Sequence, residues 1–62
     1  MPKTPKEMER ILLRDGWYRV GQRGSHRQYR HPQKQGIIIL PFHSKDLKKG
    51  LEHDILKKAQ LI

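Results

Sequence analysis

GWYRVGQRGSHRQYRHPQKQGIIILP, residues 16–41, decides the fold. Trp17 to Gln22 reads as a short strand with Tyr18 and Val20 in alternation, and Gly21, Gly24 and Ser25 mark the turn that follows it. His26 to His31 is the second strand. Side chains on a strand alternate between faces, and Tyr29 is the one bulky residue there. It is therefore assigned to the core, which sends His26, Gln28 and Arg30 to the opposite face. Pro32 to Gly36 is a polar hairpin loop. Ile37 to Leu40 forms the third strand, ended by Pro41, and its unbroken apolar run predicts that both of its faces are covered.

Outward from this meander, each flank reads as helix. Thr4-Pro5-Lys6-Glu7 is a helix start: Thr4 can accept from the Glu7 amide, Pro5 suits the first turn, and Glu7 can reach back as in a capping box. Met8, Ile11 and Leu12 then share a face, and Gly16 supplies the stop, which predicts a helix over Pro5 to Asp15. Leu13 points away from that stripe. After Pro41, Ser44 can cap a short turn, and Gly50 opens a final helix on which Leu51, Ile55, Ala59 and Ile62 share a face. Lys57 and Lys58 near its end suit the helix dipole. Helix, three antiparallel strands, helix is a two-layer α+β order in which two helices cover one sheet face and leave the other open.

Composition bounds the rest. The 62 residues, 1–62, are read as one small domain, near the lower limit for burying a core unaided. With no cysteine, disulfide frameworks, thiolate metal sites and thiol catalysis are excluded. The opening residues lack the apolar run of a signal peptide, and the run from Ile37 to Pro41 is far too short for a membrane span, so a cytosolic protein is expected. Fourteen Lys and Arg against six Asp and Glu give a formal charge of +8. From Gly16 to Lys45 the charged residues are Arg19, Arg23, Arg27, Arg30, Lys34 and Lys45, without one acid among them. Such charge speaks of partners rather than of fold. It points to a polyanion, with nucleic acid ahead of a membrane surface because the charge lies on strands and not on an amphipathic helix.

The chain resembles the HicA family of toxins, the ribonuclease half of a toxin–antitoxin pair. The resemblance rests on Gly16-Trp17 after a capped helix and on Arg23-Gly24-Ser25-His26 with Tyr29 and His31-Pro32. The strand ending at Pro41, His43, Lys48-Lys49-Gly50 and Ile55-Leu56-Lys57 complete it. It implies a double-stranded-RNA-binding-like fold in the order derived above. It further implies metal-free, cofactor-free cleavage of mRNA by the histidine that matches His26, and inhibition by a HicB-type antitoxin that covers the His26 face. A homodimer, or a toxin–antitoxin hetero-oligomer, would bury the outer face of the third strand. The family usually carries threonine or serine after the glycine matching Gly50. Leu51 stands there instead, which predicts a weakened or shifted helix cap.

RNA carries its own nucleophile. A base that removes the 2′-hydroxyl proton lets that oxygen attack the adjacent phosphorus. Histidine suits the task because its ordinary pKa of about 6.5 lies nearest neutrality. With the resemblance, His26 is assigned as that base. Arg23 and Arg27, with amides of the Gly24-Ser25 turn, would hold the phosphate, and Gln28, Arg30 and Lys45 are the further RNA contacts; His43 is read as a phosphate contact or a loop-fixing hydrogen bond, with a second proton shuttle as the lesser reading. Lys48 and Lys49 can add sequence-blind phosphate contacts. His31 shares the parity of Tyr29 and edges the core, and His53 sits on a solvent-facing turn. A zinc site from His26, His31 and His43 is disfavoured, because parity sends the first two to opposite faces. Trp17 is read as a core lid rather than a base-stacking platform. The rival to a nuclease is a non-catalytic RNA-binding module of the same fold.

Overall fold

The computed structural model describes residues 3–43 and 45–62, so the cap assigned to Ser44 lies outside the described residues. Helix α1 spans Pro5–Asp15, as the sequence predicts. The Glu7 amide donates to Thr4 Oγ1 at 3.1 Å and the Thr4 amide donates to Glu7 Oε1 at 2.9 Å, closing the capping box. These bonds from the Thr4 backbone and side chain hold the Glu7 carboxyl below its ordinary pKa.

At the other end Gly16 takes the left-handed conformation, φ 105°. Its amide donates to Leu13 O, and the Trp17 amide donates to Leu12 O, the two bonds of a Schellman motif. That motif folds the residue after the glycine back onto the last turn. Trp17 consequently packs with Leu12 in the core and is 2% exposed. Gly16 is fixed twice over, since a Cβ there would sit 2.8 Å from His31 Nε2.

Strands β1 (Tyr18–Arg23), β2 (His26–Arg30) and β3 (Ile38–Pro41) form an antiparallel sheet in the order β1-β2-β3. The register pairs Tyr29 with Ile38 and Arg27 with Leu40, and these residues face the helices. His26 pairs with Pro41 and Gln28 with Ile39 on the open face.

One expectation is corrected here. The first strand starts at Tyr18, and its apolar residues Tyr18 and Val20 are about half exposed. Its register shifts between Arg19 and Gly21, leaving Val20 outside the paired set, while Trp17, the residue before the strand, lies in the core. In β3 the run of isoleucines does alternate: Ile38 and Leu40 are buried, whereas Ile39 is 49% exposed. The chain's own helices cover only one face of this sheet, so any cover for Ile39 comes from another chain.

Helix α2 spans Lys49–Lys58 and begins one residue before Gly50. Its N-cap, Lys48, makes no side-chain capping bond, in keeping with the shifted cap that Leu51 predicts. The helix ends in a second Schellman motif built on Gln60, φ 59°, with Gln60 N–H donating to Lys57 O and Leu61 N–H to Leu56 O. This reversal packs Leu61 against the core and leaves Ile62 65% exposed, so Ile62 does not share the buried face expected for it. Met8 and Leu12 of α1, Ile55 of α2, Ala59 just after it and Leu47 before it close with Trp17, Tyr29, Ile38 and Leu40 into one core. The result is the two-layer α+β arrangement of double-stranded-RNA-binding domains, with one sheet face covered and one open.

Candidate functional site

The site grows from the β1–β2 hairpin. Arg23 pairs with His26 across the two-residue turn Gly24-Ser25, and Gly24 adopts φ 54°, a conformation that hairpin turns of this length demand. Gln22 Nε2 donates to Gly24 O at 2.8 Å and braces the turn. Nothing lies within 4 Å of where a Gly24 side chain would be, so the turn backbone is open to approach. Arg23, Gly24 and His26 are exposed, and Ser25 is half-buried.

The third strand brings in a second imidazole. His26 pairs with Pro41, and one step further the Phe42 amide donates to Ser25 O at 2.6 Å. Alternation turns Phe42 toward the helices and His43 back to the open side. The rings of His26 and His43 stand 6.3 Å apart, nearly perpendicular at 79°. Beyond His43 a cleft of about 390 Å³ opens between the loop and α2, lined by Pro41, His43, Lys45, Asp46, Leu47, Lys48 and Leu51. The convergence follows from the β2–β3 register and from the rung beyond Pro41, which residue types alone do not display. The cleft carries no sequence motif.

Gln28 and Arg30 share the open face with His26; Arg30 is exposed and Gln28 half-buried. Among the described residues no ion pair engages Arg23 or Arg30. Lys45 is exposed at the rim of the cleft.

Arg27, grouped by sequence with these phosphate ligands, faces the helices. It donates to Glu9 Oε2 at 2.9 Å and its guanidinium lies 3.7 Å from the centre of the Phe42 ring. Tyr29 Oη donates to the same Glu9 oxygen. Burial would raise the Glu9 pKa, but the bonds from Tyr29 and Arg27 outweigh it and hold the carboxyl below its ordinary value. Burial first, and Glu9 second, push the Tyr29 hydroxyl well above its ordinary range. This triad fixes β2 to α1, and through Phe42 it positions the loop that carries His43.

His31 is equally committed. Nε2 lies 2.7 Å from Asp15 O, and Nδ1 accepts from the Gln33 amide at 3.0 Å. An accepting Nδ1 makes Nε2 the donor, which defines the neutral ring with its hydrogen on Nε2. The ring meets Trp17 edge-on at 5.3 Å. Asp15 in turn accepts from Trp17 Nε1 and from Lys34 Nζ, and the Lys34 bond is the main reason its carboxyl is held low. Lys34 also donates to Ala59 O, satisfying a carbonyl at the end of α2. Trp17 is thus the core lid. Among the described residues no three His, Asp or Glu side chains converge as metal ligands.

The chain is a small α+β protein with a double-stranded-RNA-binding-like fold and a histidine set among cations on the uncovered side of its sheet. Residues 5–61 match the family described as HicA toxin of bacterial toxin–antitoxin systems, and the chain belongs to that family. Its place is that of the toxin in such a pair, which implies an antitoxin partner. Among curated proteins none matches the chain significantly. Among the described residues no helix is long and apolar enough to cross a membrane.

Proposed function

We propose that this toxin is a metal-independent endoribonuclease that cuts mRNA, with His26 as general base, and that a HicB-type antitoxin silences it by covering the His26 face. The observation that carries the reading is the placement of His26: exposed at a hairpin mouth, opposite Arg23, on the face the helices leave free. Its imidazole removes the proton of a 2′-hydroxyl. Arg23 and the amides of Gly24 and Ser25 offset the charge that develops on the phosphate. Gln28 and Arg30 contact the strand on either side, with Lys45 and His43 bordering the cleft. Arg27 contributes indirectly, by holding β2 and Phe42 in place. General base catalysis of this kind is worth typically about 10²–10⁴-fold. An antitoxin suited to this face presents acidic groups to Arg23 and Arg30 and offsets part of the +8 charge.

The test is a labelled mRNA incubated in EDTA with the wild-type protein and with His26→Ala, with the fragment ends identified. The expected result is cutting by the wild type alone, leaving 2′,3′-cyclic phosphate and 5′-hydroxyl ends, with RNA binding retained by the variant. Binding without cutting by either protein would leave a non-catalytic RNA-binding module. Equal cutting by both would remove His26 from the reaction.

A further inference from the structure

Cleavage through the 2′-oxygen needs two proton movements at opposite ends of one phosphorus. His26 accounts for the first, the removal of the 2′-hydroxyl proton. The second is delivery of a proton to the departing 5′-oxygen, which leaves poorly as an alkoxide. Few groups at this face can deliver it. Arginine holds its proton too tightly to act as an acid, which excludes Arg23 and Arg30. Tyr29 lies on the helix side and donates to Glu9. His31 is spent on Asp15 O and the Gln33 amide.

His43 remains. It is exposed, and its ring stands 6.3 Å from that of His26, turned edge to face. A general acid or base must come within about 3 Å of its oxygen, directly or through one water, so two imidazoles at this separation can serve oxygens of a single phosphate. Nor is the proximity an accident of a free loop. The rung from Phe42 N–H to Ser25 O ties the residue before His43 to the turn before His26, and Phe42 itself is clamped under the Arg27 guanidinium.

We propose, resting on the nuclease reading above, that His43 is the general acid of the reaction. The neutral His26 imidazole accepts the 2′-hydroxyl proton while the 2′-oxygen–phosphorus bond forms. The phosphorus–5′-oxygen bond breaks, and the His43 imidazolium gives its proton to that oxygen. The products are a 2′,3′-cyclic phosphate and a 5′-hydroxyl. His26 is left protonated and His43 neutral, and exchange with solvent restores both.

An RNA oligonucleotide with a single bridging 5′-sulfur at a linkage the wild type cuts tests this directly, because a thiolate departs without being protonated. Relative to wild type, His43→Ala and His43→Gln should cut the oxygen linkage at least about 10²-fold more slowly and the sulfur linkage within a few-fold. His26→Ala should be slow on both. His43 variants equally slow on both linkages would make the residue a binding or positioning group, and variants that cut both like wild type would give it no part; either result overturns the assignment while the nuclease reading stands. A wild-type protein that cuts neither linkage overturns the nuclease reading and this one with it. Circular dichroism melting of each variant verifies that it is folded.

Discussion

Arg27 and Gln28 are neighbours in sequence, yet one faces the helices and the other faces solvent. On the covered side Arg27 and Tyr29 both donate to Glu9, and the carboxylate they share ties α1 to β2, although Arg27 Nε stays buried without a partner among the described residues. On the open side Arg23, His26 and Arg30 enter no ion pair among the described residues. The same division separates the histidines. Both His31 nitrogens are engaged and its side chain is 7% exposed, whereas His26 is exposed at the mouth of a turn. Positive charge around the sheet is therefore of two kinds: cations engaged in holding the fold, and cations on the open face that enter no ion pair among the described residues.

The largest effect should come from exchanging the roles of the two histidines. His26→Ala is expected to lower the RNA cleavage rate by at least about 10²-fold without moving the thermal unfolding midpoint. His31→Ala should do the reverse, costing about 1–3 kcal/mol for the polar groups it leaves unpaired while the folded fraction still cuts RNA. Paired rate and melting measurements on the two variants would break the comparison if both lost activity to the same degree.

The next contrast lies within β3. Leu40→Ala, on the covered face, should cost about 2–5 kcal/mol, and Ile39→Ala, one residue away, no more than about 0.5 kcal/mol. Urea unfolding of both sharpens the division, and similar losses would mean that Ile39 is covered in solution by another chain.

A smaller effect concerns acid. The Glu9 carboxyl titrates below its ordinary 4.5 in the folded chain, because the bonds from Tyr29 and Arg27 overcome the effect of its burial. The unfolded chain therefore takes up this proton first as pH falls. The contribution of Glu9 is complete above about 4.5 and is lost as pH drops through the lower folded value. Melting temperature should decline with acidification in that range, and Glu9→Gln should flatten the decline. Flattening is partial, since Glu7 and Asp15 shift in the same direction.

Local chemistry made much of this legible. The capping box at Thr4 and Glu7, the stop at Gly16 and the parity of Tyr29 each involve residues close in sequence, and α1 appears with the bounds that the sequence predicts. The misreadings come from tertiary geometry. A bulge leaves no mark in a pattern of residue types, so the alternation of Tyr18 and Val20 predicts a regular ladder where the register in fact shifts between Arg19 and Gly21. Arg27 shares the parity of Tyr29, which places it on the covered face, while its grouping with the phosphate ligands follows the resemblance; no sequence pattern tells that Glu9, eighteen positions away, lies there to accept from it. The meeting of His26 and His43 depends on hairpin register and on one bond beyond Pro41, and a pattern of residue types carries neither.

The most direct test of the two-sided account is to follow the imidazole resonances of all four histidines by NMR while adding 2′-O-methyl RNA, which lacks the attacking hydroxyl and stays uncut. The account predicts that His26 and His43 shift together on binding while His31, buried against Trp17 and Asp15, holds its position. RNA binding that moves His31 and leaves His26 unchanged would contradict it.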